Sequence, residues 1–323
     1  MEDQIKKAKH FVFLASSVIL IVFIIFSFTA LLNNPKYLIY GITHINPLLY
    51  LIAIVILILG YSLGFIKWLL LIRGYNIKLS LLNHFLLYFS MYSMELSPGR
   101  WGRAISTYLL SKKYHIKHAY LFPIIVADIF TDFSGFVVVA VFSSLFIKRY
   151  VIASITIAII LLIPLFIFTN RKLYSFVKRK LLKIKNEKAR YYIFKFLKNG
   201  DLYFQGHSLL KKRKYLLSLT FTIPAELLKA LSLYFIILAM GFNVNNLYII
   251  VLFMYASSTL IGALSGIPGG IGVSDFILIG YLSTFLAIPY VYAVIINILF
   301  RALVLWLIPI LGLLVLVITS RRI

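Results

Sequence analysis

The 323-residue chain has no cysteine, and only 9 acidic residues stand against 33 Lys and Arg. Without cysteine there is no disulfide framework, no thiol nucleophile and no thiolate metal ligand. The shortage of acids leaves a net charge of +24 on a chain of which just 13% is charged. Long polar stretches are scarce too. The longest, residues 171–214, covers 44 positions, too few for a separate soluble catalytic domain. What is abundant is apolar. The chain is 62% hydrophobic, and several runs exceed the ~18 residues that suggest a membrane-spanning helix. These features exclude a soluble domain and predict an all-α polytopic membrane protein. The first run, 11–32, is too long for the apolar core of a signal peptide and has no small-residue cleavage site behind it, so it reads as a retained helix.

The stretch 84–110, HFLLYFSMYSMELSPGRWGRAISTYLL, is apolar enough for a membrane, yet it carries a Glu, a Ser-Pro-Gly break and two Arg. Pro lacks an N–H and Gly tolerates non-helical dihedrals, so Pro98-Gly99 ends a helix there. In hydrocarbon such a break is tolerated only where protein or a water-filled cavity covers the freed backbone groups. The device recurs in ALSGIPGGIGVSDFILIGYL, residues 263–282, where Pro268 matches Pro98 within a shared Pro-Gly-x-x-Gly. Broken apolar segments in corresponding positions of two halves point to a transporter-type binding site.

Basic loops set the expected topology. Lys6, Lys7 and Lys9 precede the first run, Arg73 and Lys78 follow the run 47–72, and Lys112, Lys113 and Lys117 follow the first broken stretch. Residues 171–214 hold 15 Lys and Arg against Glu187 and Asp201. Treating the broken stretch as re-entrant keeps every major basic loop on one side; a single discontinuous crossing is the alternative. With further runs at 120–147, 151–169, 215–240 and 289–317, about six transmembrane helices plus two re-entrant elements are expected in one membrane domain, 1–323. Both termini are expected in the cytoplasm and the protein in the cell (plasma) membrane. Residues 47–147 and 215–317 form an inverted-topology repeat in this reading, flanking the basic cytoplasmic segment 171–214. Within that segment Leu173, Val177, Leu181 and Ile184 fall at helical spacing among lysines. They suit either an amphipathic helix on the inner leaflet or a solvated loop that only fixes topology. The string DLYFQGHS, 201–208, looks like part of a tag-cleavage site, but its place inside a basic loop favours native sequence.

Charges inside apolar segments cost ~2.5–3.5 kcal/mol each at mid-span and are functional candidates by default. Here they are Glu95, Arg100, Arg103, Asp128, Asp132, Glu226, Lys229, Asp275 and Arg301. Arg100 and Arg103 fall in the first turn after Pro98-Gly99, where free backbone N–H groups also favour an anion, and Arg forks match phosphate oxygens. Gly269 and Gly270 open a second helix N-terminus with Asp275 one turn in, as a cap or as the partner of a substrate cation or of Arg301. Asp128 and Asp132, four residues apart, can meet Arg100 or Arg103. Structural ion pairs tying the halves together are the competing reading for the carboxylates, and snorkelling to the interface is the competing reading for the two arginines. The glycine pattern is no dinucleotide fingerprint, since no strand precedes it. The six His lack metal spacing and no nucleophile–base pair is recognisable, so no enzyme activity, metal or cofactor is expected.

ELSPGRWGRAISTYLL and SGIPGGIGVSDFILIGYL resemble the paired signatures of the lysylphosphatidylglycerol synthase transmembrane-region family, the flippase-like membrane portion of multiple peptide resistance factors. Pro98-Gly99-Arg100-Trp101-Gly102 matches the first signature, with Arg103 where an acid is common. Pro268-Gly269-Gly270-Ile271-Gly272 matches the second, with Ser274-Asp275 where Arg-Glu is common. The resemblance implies lipid translocation; the family's aminoacyl transfer belongs to a separate soluble domain that these residues do not contain. The expected substrates are anionic phospholipids, aminoacylated lipids or polyprenyl-phosphate-linked sugars, with no nucleic acid. The rival readings are a membrane partner or anchor of a separate lipid-modifying enzyme and a small-solute or ion transporter.

Overall fold

The computed structural model describes residues 43–75, 77–147, 170–181, 200–208, 212–243 and 246–322. The expected helices at 11–32 and 151–169 lie outside the described residues, as do 182–199 of the basic segment. Among the described residues every regular element is helical. The chain belongs to the all-α, multi-pass membrane class, with five stretches long and apolar enough to cross a bilayer: Pro47–Tyr75, His118–Ile147, Arg213–Ala239, Leu247–Leu264 and Tyr290–Ser320.

Helix α1, Pro47–Ile72, starts where Asn46 Oδ1 accepts from the backbone N–H groups of Leu48 and Leu49 and Pro47 occupies the first turn. It is apolar all round except for Lys67. Its inward face is set by small residues and by what they allow to approach: Gly60 lies against the backbone at Ala225 and the Lys229 stem. Leu48, Leu51, Val55 and Leu59 remain exposed on the face left for lipid.

The first broken element is α2, Leu81–Ser90, a tight 3₁₀ turn Met91–Met94, a second 3₁₀ segment Pro98–Ala104, and α3, Ile105–Tyr114. The ladder tightens at 91–94, where Ser90 and Ser93 hydroxyls donate to the carbonyls of Leu87 and Ser90 and compete with regular helix bonds. Helix α4, His118–Ile147, follows. The basic segment contributes α5, Arg171–Leu181, and a helical stretch over 200–207. Then come α6, Lys212–Ala239, α7, Leu247–Leu264, a 3₁₀ turn Pro268–Gly270, and α8, Val273–Phe285.

The two broken elements are unequal. Helix α7 is 18 residues, ~27 Å at 1.5 Å per residue, and is by itself long enough to cross, whereas α2 has 10 residues. The run expected as one helix over 289–317 is also interrupted. It consists of α9, Tyr290–Arg301, a π turn Ala302–Leu307, and α10, Ile308–Arg322. Pro309 has no N–H to return to residue 305, so the ladder slips by one residue just before it, and Arg301 ends up at the junction.

Packing between the halves is reciprocal. Helix α1 packs along α6, α4 packs on α7, α10 packs on α2, and the two Pro-Gly turns meet each other. The segment DLYFQG is folded into the protein. Asp201 accepts from Tyr174 Oη and Lys178 Nζ, Phe204 is buried against Tyr174, and the Gly206 carbonyl accepts from Tyr75 Oη at the end of α1.

Candidate functional site

The turn after Pro98 is held by its own backbone. Arg100 N–H donates to the Ser97 carbonyl at 2.9 Å, and Gly102 N–H donates to Ser97 Oγ at 2.6 Å. A side chain at 102 would run into Met94 and Ser97, so the last motif residue has to be glycine. Arg100 sits at φ 62, the left-handed region that non-glycine residues avoid. In the second motif Gly270 holds the matching place, with φ 65. There a Cβ would lie 3.0 Å from Gly262 Cα and 3.0 Å from Ser274 Oγ. The two turns thus share a left-handed residue at this position, although the second is also left-handed at Gly269 and Gly272; only the first has room for a side chain there, and that side chain is an arginine.

Around this turn lies a buried ionic network. The Arg103 guanidinium forms a fork on Glu95, with Nε–Oε2 and Nη2–Oε1 both at 2.8 Å, and reaches Asp128 Oδ2 at 2.9 Å and Asp132 Oδ2 at 2.7 Å. Lys67 Nζ reaches Asp128 Oδ1 at 2.7 Å and Asp132 Oδ1 at 2.6 Å. Arg100 is held more loosely, by Glu95 Oε1 at 3.2 Å and Asp132 Oδ2 at 3.3 Å, with its guanidinium over the Phe136 ring. On α6, Lys229 pairs with Glu226 at 2.7 Å, and Tyr255 Oη donates to the other Glu226 oxygen. The four cations Lys67, Arg100, Arg103 and Lys229 stand against the four carboxylates Glu95, Asp128, Asp132 and Glu226, so the network is neutral. Buried ions are tolerated only with such pairing, because each lone ion costs several kcal/mol of desolvation. A separate cluster occupies the second half. Asp275 Oδ1 accepts from Arg301 Nε at 2.6 Å and from Asn297 Nδ2 at 3.0 Å, Asp275 Oδ2 caps α8 through the Gly272 N–H, and Arg301 also bonds the Ser274 hydroxyl.

A cavity of about 60 Å³ opens between the two turns. Its charged lining is Glu95, Arg100, Lys229 and Arg301, with Tyr61 and Tyr255 beside them and Gly269 and Gly270 forming part of its wall. Of the sequence candidates, Glu95, Arg100, Lys229, Gly269, Gly270 and Arg301 therefore reach the cavity. Asp132, Glu226 and Asp275 lie behind the cations. Arg103 and Asp128 are fully buried in the network and line nothing, while Pro98 and Gly99 begin the turn that carries Arg100. The paired arginines read from the sequence are thus split: Arg103 is committed to four carboxylate oxygens and Arg100 faces the space. Lys67 was missed although it is the one charge within the apolar run 47–72, a signal that intramembrane charge counting carries. Tyr61 and Tyr255 had no such signal, being aromatics in apolar runs. No group of three or more possible metal ligands occurs among the described residues.

The family model of the lysylphosphatidylglycerol synthase TM region matches residues 13–312. The chain belongs to this family. No curated protein matches it. Membership links the protein to lipid handling in a membrane. The departures seen in the motifs now have structural counterparts. Arg103, where the family commonly has an acid, is the centre of the neutral network, and Ser274, where an arginine is common, accepts from Nη2 of Arg301 on α9.

Proposed function

We propose that this family member moves a phosphate-headed lipid between leaflets, with the head group passing through the cavity between the two Pro-Gly turns and the tails left in the bilayer. The observation that carries this reading is the orientation of the charges: Arg100, Lys229 and Arg301 face the cavity while Asp132, Glu226 and Asp275 stand behind them. Arg100 is suited to exchange partners. Its two carboxylate contacts are the longest in the network, and both carboxylates keep Arg103 or Lys67 if it leaves them. A phosphate can take the Arg100 fork without stranding a buried charge. The cavity lies where the halves meet, so an inverted repeat rocking about that contact exposes it to one leaflet at a time. Phospholipids, aminoacylated lipids and polyprenyl-phosphate-linked sugars fall within this class. The basic loops orient the protein with its termini in the cytoplasm of a cell whose plasma membrane it spans.

The test is reconstitution in vesicles with labelled lipids. The wild type is expected to bring labelled head groups across, and Arg100→Gln to lose most of that rate while keeping its melting temperature. An Arg100→Gln protein that flips at the wild-type rate would sink the phosphate-site reading. Absence of flipping for every phosphate lipid, with a lipid-modifying enzyme co-purifying, would transfer the case to the anchor reading.

A further inference from the structure

Charge and volume at the cavity both bear on which phosphate it takes. Three cations and one carboxylate line it, and the carboxylates paired with Lys229 and Arg301 stand behind them at 2.7 and 2.6 Å, so the groups that meet a ligand are mostly cationic although the surroundings balance them. The one lining carboxylate is already spent. Glu95 accepts from both sides of the Arg103 fork and is ion-paired with Arg100 Nε, which leaves it poorly placed to hold a substrate ammonium. A site built for a zwitterionic head group would keep such an acceptor free. The three cations also come from different elements: Arg100 from the first Pro-Gly turn, Lys229 from α6 and Arg301 from the end of α9. They converge from several directions, as suits an anion that exposes oxygens on several sides. Hydroxyls of Ser97 and Ser274 also line the wall. The space of about 60 Å³ has room for a few waters or one tetrahedral anion. A diester in it would have to thread a second organic arm past the aromatic and aliphatic part of the wall, which includes Tyr61, Tyr255 and Phe300.

Resting on the phosphate-lipid reading, we infer that the cavity selects a terminal phosphate monoester over a phosphate diester. A monoester carries about −1.5 to −2 at neutral pH, has three free oxygens to meet the three converging cations, and has a single substituent to direct out toward the tails. A diester carries one negative charge and two substituents. Arg301 and Lys229 then act as the residues that set the charge class, while Arg100 supplies the basic phosphate contact. The same monoester chemistry occurs in a free soluble phosphate, which the experiment separates from a lipid.

The measurement is binding to the purified full-length protein, read as the competition of unlabelled ligands against a fluorescent phosphatidic acid. The competitors are phosphatidic acid, phosphatidylglycerol, phosphatidylcholine and inorganic phosphate. Phosphatidic acid is expected to compete at least about tenfold more strongly than phosphatidylglycerol, and phosphatidylcholine not at all. Arg301→Gln and Lys229→Gln should each shrink that preference, and Arg301→Lys should retain most of it, which separates loss of charge from loss of fold. Equal competition by phosphatidic acid and phosphatidylglycerol overturns the monoester inference and leaves the phosphate-lipid reading standing. Inorganic phosphate matching phosphatidic acid overturns the lipid source while keeping the monoester chemistry. Failure of every phosphate compound overturns both.

Discussion

Only three positions separate Arg100 from Arg103, but one is 16% exposed at its side chain and the other 1%. Removing one partner from a buried ion network strands the charges left behind, at about 3–5 kcal/mol. Arg103→Met is therefore expected to lower the melting temperature of the purified protein sharply or to abolish expression, whereas Arg100→Gln should melt close to wild type. Equal melting of the two variants would remove the distinction drawn between them. Backbone strain gives a second contrast. At Gly270 an added Cβ meets Gly262 and Ser274 and also requires a left-handed conformation, so Gly270→Ala is expected to cost roughly 1–2 kcal/mol or more in a melting experiment. Arg100→Gly, which relieves the same strain in the first turn, should melt no lower than Arg100→Ala. At this scale the sequence told which charges were buried in apolar runs, Lys67 excepted. It could not tell which arginine faced the cavity, because that depends on where α4 sets Asp128 and Asp132 in three dimensions.

At the level of elements, the breaks at Pro98 and Pro268 are legible because proline and glycine act locally. The inequality of the two broken elements is not. It comes from serine hydroxyls tightening residues 91–94 and from the length of α7, which runs unbroken to Leu264. The slip of the ladder before Pro309 likewise had a local cause, but its consequence, Arg301 at the junction, needed the packed structure. The basic segment shows how a string can mislead. DLYFQG resembles a tag site, but its residues are helical, Phe204 is buried and the Gly206 carbonyl is bonded to Tyr75. Proteases cleave extended backbone, so the protease specific for such tags should leave the bond between Gln205 and Gly206 intact in the folded protein and cut it after denaturation. Cleavage of the native protein at the denatured rate would contradict this packing. The absence of cysteine permits a clean topology test. A cysteine at Lys113, after the first broken element, should react with a membrane-impermeant reagent only from the side that also labels a cysteine at Lys178; labelling from the opposite side would rule out a re-entrant first element.

Across the whole molecule, the buried charge network sums to zero while two of its cations, Arg100 and Lys229, face a space shared with Arg301. Contacts between the halves are reciprocal, α4 on α7 and α10 on α2, with α1 on α6 and turn on turn. This arrangement joins a neutral, affordable interior to a locally positive cavity at the place where two broken elements meet. The hydrophobic class, four of the five spans and the two breaks were visible in one chain of letters; the neutrality was not, because Lys67 had to be brought next to Asp128 and Asp132 before the sum could be done. The central claim is that the cavity passes a phosphate head group across the bilayer. Its most direct test is the rate at which wild-type protein in sealed vesicles moves fluorescent phosphatidic acid between leaflets, compared with Arg100→Gln incorporated at the same density. The account predicts a rate well above protein-free vesicles for the wild type and a fall of about tenfold or more for the variant, from loss of a charge-assisted fork worth about 1.5–3 kcal/mol. Wild-type and variant rates that coincide, at any level above background, would contradict it.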